Sequence, residues 1–271
     1  MNVILKSVLS FFKDNGPLLA GSIAYFFLMS FVPFCLFLIT IFGYILGGDQ
    51  EFYAFFLNRL IRLFPAATSD ISHELAVLVA YRKIGIVTFM IYVYFSYQLY
   101  LALQTAMHLI FREPAEKLLL ITIVRSLIIV TLIVVFIAIS FTATSAIQML
   151  RPMITTLTGI RIGIVTGFLI RFVIPVVLIL LITTTLYIFL PAQRANFGNA
   201  LRGGLFTTIF LEAARHLFTF YAVTAASSYG ALYGSLSSFV VFLLWVYLSA
   251  CIFLVGAEIV CHLQVSRRVK S

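Results

Sequence analysis

The sequence predicts an all-α integral membrane protein with six transmembrane helices in a single membrane domain, residues 1–271. Hydrophobic residues make up 63% of the chain and charged residues 10%, against about 45–50% and about 25% in soluble domains. The apolar runs are also continuous, whereas the strands of an outer-membrane barrel alternate apolar and polar residues. The composition therefore excludes an ordinary soluble enzyme, a disordered chain and a disulfide scaffold.

Six apolar stretches each supply the ~20 residues that a helix needs to cross a bilayer. They lie at about 18–46, 84–111, 118–150, 162–190, 203–226 and 236–260. Pro33 falls inside the first stretch and Pro175 inside the fourth, and a proline there removes a backbone hydrogen bond and is expected to kink the helix. Pro191 is expected to end the fourth span.

The connectors between these spans differ in kind. In the long first connector, residues 51–64 are amphipathic and predict a helix in the membrane interface. A second short helix is expected at about 69–82, with Ser69 or Asp70 as its N-cap. Residues 227–235 are uncharged and rich in turn formers, so they are expected to form the turn before the last span.

The distribution of positive charge predicts the orientation. With the N-terminus inside, ten of the 18 lysines and arginines fall on the inner side and six on the outer side. Because cytoplasmic loops carry the excess of such residues, both termini are predicted to be cytoplasmic. The three cysteines are scattered, which gives neither a disulfide framework nor a zinc site.

The fifth span carries three ionisable residues at its centre. Glu212 reaches Arg215 at i+3 and His216 at i+4, so the three share a side of the helix. Charges at this depth are costly and usually face protein or water. One interpretation is a structural ion pair that fixes helix packing, and the other is the polar lining of a pathway.

Two further arginines lie inside predicted spans. Arg171 in the fourth span continues a series of glycines at four-residue steps, which places it on a face suited to close helix contact. It is expected either to point at protein or a cavity, or to snorkel outward or pair with an acid. Arg125 in the third span lies near the inner end, where snorkelling is the favoured interpretation.

The second span carries a polar stripe. Tyr97, Gln104 and His108 recur at helical spacing along one face. Such a stripe is consistent with ordinary hydrogen bonding between helices or with a polar interior. Within the membrane, three arginines stand against two acids, Glu212 and Glu258. Since the guanidinium group binds phosphate and carboxylate well, this imbalance indicates an anionic ligand.

Three short motifs carry a family resemblance. They are residues 20–33 (AGSIAYFFLMSFVP), residues 229–235 (YGALYGS) and residues 244–249 (LWVYLS) followed by Gly256-Ala257-Glu258. In order and spacing, over about residues 13–262, the chain resembles the YihY/virulence factor BrkB family of bacterial inner-membrane proteins. The resemblance implies six spans and a multi-pass position in the bacterial inner membrane.

This family has also carried the label ribonuclease BN. A nuclease needs clustered carboxylates or histidines for metal or acid–base chemistry, and a soluble basic surface that holds RNA. The sequence offers neither, so ribonuclease activity, a cofactor, a metal site and a nucleic-acid partner are not expected, and a non-enzymatic role is favoured.

Three functional hypotheses follow. The first is an inner-membrane transport protein that offers a polar path for an anionic amphiphile or lipid. Its path is lined by Arg125, Arg171, Glu212, Arg215, His216, Tyr97, Gln104 and His108. The second is a membrane-embedded enzyme that modifies lipid through Glu212 and His216, and the third is a non-catalytic scaffold. Membrane lipids are the expected partners, and a homo-oligomer stays open.

Overall fold

The computed structural model describes residues 3–45, 84–112, 173–191, 195–233 and 235–268. These residues form six helices and contain no strand, as the all-α prediction requires. The helices are α1 (Val3–Lys13), α2 (Gly16–Ile45), α3 (Ile84–Phe111), α4 (Ile174–Phe189), α5 (Phe197–Tyr233) and α6 (Ser235–Arg268).

One helix segment in the described part of the chain is long and apolar enough to cross a membrane. It is Val240–Val265 within α6, with a mean hydropathy of 2.5. Two shorter apolar segments are Gly16–Phe31 and Pro175–Phe189. The six-span count stays a prediction. Predicted span three (118–150) and the predicted interfacial helices (51–64 and 69–82) fall outside the described residues.

Three predicted spans agree with helices. Helix α2 covers span one and continues through Pro33, and α3 has the predicted bounds of span two. Helix α4 is the described part of span four, and it ends at Phe189 just before Pro191, as expected. Pro175 lies at the start of the described part of this span, and the kink expected there stays a prediction.

Two parts of the chain differ from expectation. Residues 227–233 were predicted to form a turn, but they belong to α5, which is helical through Tyr233. The single glycine within this stretch costs a helix only about 1 kcal/mol, which does not break it. Helix α1 was not predicted as a separate element. Asn15 ends it with φ at 56°, a left-handed conformation that asparagine tolerates.

The chain divides into two compact units, and the boundaries fall at the start of α2 and inside α3, α5 and α6. The first unit comprises Met1–Gly16, Leu103–Ala213 and Ile252–Ser271. The second unit comprises Pro17–Ala102 and Ala214–Cys251.

Helices of the first unit approach closely at glycines. A Cβ at Gly203 on α5 would lie 2.9 Å from the Gly256 carbonyl oxygen on α6 and would overlap Val260. A Cβ at Gly204 would meet the hydroxyls of Thr183 and Thr184 on α4. Small residues of this kind let membrane helices pack backbone to backbone, and they bring α4 and α6 against α5.

The second unit is packed mainly by aromatic rings. Phe34 on α2 lies 5.2 Å from Tyr92 on α3, measured between ring centroids. Phe31 on the same helix lies 6.1 Å from Phe242 on α6. Phe34 and Tyr92 are each 2% exposed, so large apolar groups form the core of this unit.

Candidate functional site

Helix α5 carries a buried polar face within its apolar sequence. Thr208 is 2% exposed and Glu212 is 8% exposed. The Thr208 hydroxyl donates to the Gly204 carbonyl within the helix at 2.8 Å. Leu205 and Ile209 on the same helix are more than half exposed. The carboxylate therefore lies on the shielded side of α5 and the large apolar side chains lie on the open side.

The two basic residues predicted beside Glu212 differ in exposure. Arg215 is half-buried and His216 is exposed. Glu212 belongs to the first unit, whereas Arg215 and His216 belong to the second. Their predicted association with Glu212 stays a prediction.

The polar stripe on α3 is partly buried. Gln104 is 7% exposed, and Tyr97 and His108 are half-buried. Among the described residues, neither ring nitrogen of His108 has a hydrogen-bond partner. Gln104 and His108 lie in the first unit and Tyr97 lies in the second. Arg125 and Arg171, the other predicted path residues, fall outside the described residues.

A second polar cluster lies in the first unit and was not predicted as a site. Glu258 on α6 is 2% exposed, and its Oε2 lies 4.0 Å from Nε2 of His262, one turn further along the helix. The same Nε2 lies 3.1 Å from the Ser10 hydroxyl on α1. Helix α1 is thus joined to the end of α6 through polar side chains.

Two charged residues that follow helix ends, Asp14 and Arg112, complete this cluster. Asp14 follows α1 and lies within hydrogen-bonding reach of the Glu258 carboxyl, and Arg112 after α3 interacts electrostatically with the same group. Arg112 has φ at 55°, a conformation that costs a non-glycine residue about 1–3 kcal/mol and often marks functional sites. In the described part of the chain, no group of three or more His, Cys, Asp or Glu residues is arranged to hold a metal ion.

Sequence reasoning singled out Glu258 but missed its partners. Asp14 and Arg112 lie at the ends of spans, where a charge is normally interpreted as a solvated loop residue. Helical spacing relates residues on one helix only, so it could not bring these residues to the end of α6. The adjacent Asp14-Asn15-Gly16-Pro17, which ends one helix and starts another, was the available signal.

Tyr187 forms a third buried polar contact, also missed from sequence. Its hydroxyl donates to the Phe253 carbonyl at 2.7 Å and lies 2.7 Å from the Thr207 hydroxyl. Since the tyrosine proton is used on the carbonyl, Thr207 must be the donor to Tyr187. The Tyr187 ring stacks on Phe253 with centroids 5.0 Å apart. This contact links α4, α5 and α6 and serves packing.

The sequence profile of the virulence factor BrkB family matches residues 8–271. The chain belongs to this family. The resemblance found in the motifs is confirmed, and with it the assignment of the chain to a family of membrane proteins. The inner membrane as the location, and the orientation of the termini, stay predictions.

Individual relatives carry general names. The chain is similar to a UPF0761 membrane protein of Azotobacter vinelandii, at 45% identity over 31% of this chain and 21% of the relative. It is similar to another of Kangiella koreensis, at 37% identity over 48% of this chain and 30% of the relative. The chain therefore spans about a fifth to a third of the length of these relatives.

A longer match is to YfkH of Bacillus subtilis, named a ribonuclease-like protein, at 27% identity over 90% of this chain and 89% of the relative. No solved structure matches the chain.

Proposed function

We propose that this BrkB-family chain is a transport protein of the inner membrane that offers a polar path for an anionic amphiphile, such as a lipid. The observation that carries the proposal is the buried Glu212 carboxylate in the middle of α5, on the side away from the exposed apolar residues. Inside a membrane span, as this part of α5 is predicted to be, a charge is costly and usually faces the protein interior or a water-filled cavity.

The charge balance favours an anionic substrate. Arg215 follows Glu212 by one turn on α5 and is half-buried. Arg125 and Arg171 add two more guanidinium groups inside predicted spans. An anionic head group could exchange its hydration for guanidinium contacts while its acyl chains stay in lipid, which lowers the cost of crossing.

The alternative is a membrane enzyme that uses Glu212 and His216. Glu212 is buried and His216 is exposed. This difference in exposure favours separate roles for the two residues over a shared catalytic pocket. The ribonuclease-like name belongs to YfkH. For this chain, we expect purified protein to leave tRNA intact with or without added divalent metal.

The proposal is tested in vesicles that contain the purified protein and a trace of head-group-labelled lipid. We expect faster transbilayer movement of an anionic lipid than of a zwitterionic one. Arg215→Gln and Arg171→Gln should reduce that preference. Arg202→Gln is the matched control, because Arg202 is an exposed arginine near the start of α5 and should leave the preference unchanged.

Two results would overturn the transport proposal. If folded protein accelerates no lipid class, the scaffold hypothesis replaces it. If the labelled lipid is chemically altered, and both Glu212→Gln and His216→Gln abolish that change, the enzyme hypothesis replaces it.

A further inference from the structure

Helix α1 leaves a large apolar face uncovered. Leu5, Leu9 and Phe12 are 53%, 55% and 64% exposed. Their spacing of four and three residues places them on one face of the helix. Lys6 and Lys13 are also exposed. Because they are seven residues apart, they lie two turns apart along one edge of that apolar face.

The opposite face of α1 is fixed to the protein. Ser7 is 0% exposed and Phe11 is 5% exposed. Ser10 lies 3.1 Å from Nε2 of His262 on α6. With this side held by packing and a hydrogen bond, α1 cannot turn Leu5, Leu9 and Phe12 inward, so their exposure is a fixed property of the fold.

A membrane surface is the partner that fits this face. Helix α1 is joined to the apolar helix α2 by Asp14 and Asn15 alone, so the two helix ends are no more than about 11 Å apart. A helix so close to an apolar segment of a membrane protein reaches the membrane interface. There, apolar side chains enter the acyl region while lysines extend to the head groups.

We propose that α1 lies in the membrane–water interface and binds anionic lipid head groups through Lys6 and Lys13. The two ammonium groups stand at the edge of the apolar face, where phosphate-bearing head groups lie when the face is in lipid. A lysine near an anionic surface strengthens binding to that surface severalfold, and two lysines together strengthen it roughly 30-fold. This inference is independent of the proposed transport function.

The test places a fluorescent reporter on the apolar face. Trp245 is the single tryptophan, so Phe12→Trp in a Trp245→Phe background reports on α1 alone. If Trp245→Phe lowers the yield of folded protein, the difference between Phe12→Trp and wild type supplies the same signal. Leu9→Trp gives a second reporter on the same face.

The full chain is reconstituted into vesicles of phosphatidylglycerol and phosphatidylcholine, with bromine on the acyl chains of one lipid at a time. Bromine should quench the reporter, and aqueous iodide should not. Quenching should be stronger when phosphatidylglycerol carries the bromine, and the difference should shrink as salt is added.

The lysines are tested by paired variants. Lys6→Gln with Lys13→Gln should make the two brominated lipids quench equally, while Lys6→Arg with Lys13→Arg should keep the preference. Iodide quenching without bromolipid quenching would place α1 in water and overturn the proposal. Equal quenching by both lipids in the wild-type lysine background would also overturn it, because anionic selectivity would be absent.

Discussion

The two compact units of this membrane protein are packed in different ways. The first unit uses glycines and buried hydrogen bonds, with Gly256 pressed against Thr207 and Tyr187. The second unit uses aromatic rings, such as Phe34 on Tyr92. Lipid tails are as apolar as leucine, so burial alone does not hold membrane helices together. Where helix backbones approach closely, there is no room for a larger side chain, whereas neighbouring aromatic rings can shift to accommodate one. The first unit should therefore tolerate substitutions in its core less well than the second.

The largest expected effect is at Gly256. A Cβ there would overlap the Thr207 hydroxyl and the Tyr187 hydroxyl, so Gly256→Ala should lower the free energy of unfolding by about 3 kcal/mol. The matched change in the second unit is Gly21→Ala, where the new Cβ would only touch Tyr247 at 4.0 Å. It should be neutral or slightly stabilising, because alanine favours helix.

Thermal unfolding in detergent, followed by size-exclusion chromatography, measures both variants. Equal losses at Gly256 and Gly21 would contradict the contrast between the two units.

The next effect concerns the buried hydroxyl of Tyr187. Tyr187→Phe keeps the ring on Phe253 but removes two hydrogen bonds and leaves the buried Thr207 hydroxyl without its acceptor. We expect a loss of about 1–2 kcal/mol in the same unfolding assay. The control is Tyr94→Phe, since the Tyr94 hydroxyl accepts a bond from Gln98 on an exposed face. A comparable loss in the control would remove any special role for the buried contact.

In the second unit, the aromatic packing should accept an aliphatic side chain. Phe34→Leu loses the ring contact with Tyr92 but keeps most of the apolar volume, so a loss of about 1 kcal/mol is expected. Phe34→Ala empties the site and should cost about 3–5 kcal/mol. If Phe34→Leu proved as damaging as Phe34→Ala, the second unit would be as specific in shape as the first.

The sequence predicted the helical elements better than the sites. Apolar run length identified the helices around Phe34 and Trp245, because membrane helices need a minimum number of apolar residues. It placed Glu212 inside a span, and the structure buries that residue. Contacts between helices could not be predicted from the sequence. Helical spacing relates residues on one helix, whereas Tyr187 and Thr207, like Ser10 and His262, are brought together by the packing of distant segments.

The amphipathic character of α1 is present in the sequence, but it was not predicted as an element of its own. Its Leu5, Leu9 and Phe12 alternate with lysines over only three turns, which resembles the charged start of a signal peptide. What separates it from the span is the left-handed Asn15, and a single asparagine is a weak signal in a sequence.

The smallest expected effect is at Asp14, and it has the opposite sign. Asp14 lies within hydrogen-bonding reach of Glu258, which is buried, and Arg112 is the nearby cation that offsets the pair. Two carboxylates are both acceptors, so they repel unless they share a proton.

The substitution Asp14→Asn supplies an amide donor to Glu258. It also removes one negative charge from the C-terminal end of α1, where the helix dipole disfavours a negative charge. We expect the free energy of unfolding to rise by about 0.5–1 kcal/mol at an alkaline pH at which both carboxyl groups are ionised. The same substitution in a Glu258→Gln background should raise the free energy of unfolding by a smaller amount, because the repulsion between the two carboxylates is already absent. A loss of stability on Asp14→Asn would contradict this expectation and would mean that attraction between the Asp14 carboxylate and the Arg112 guanidinium outweighs the carboxyl repulsion.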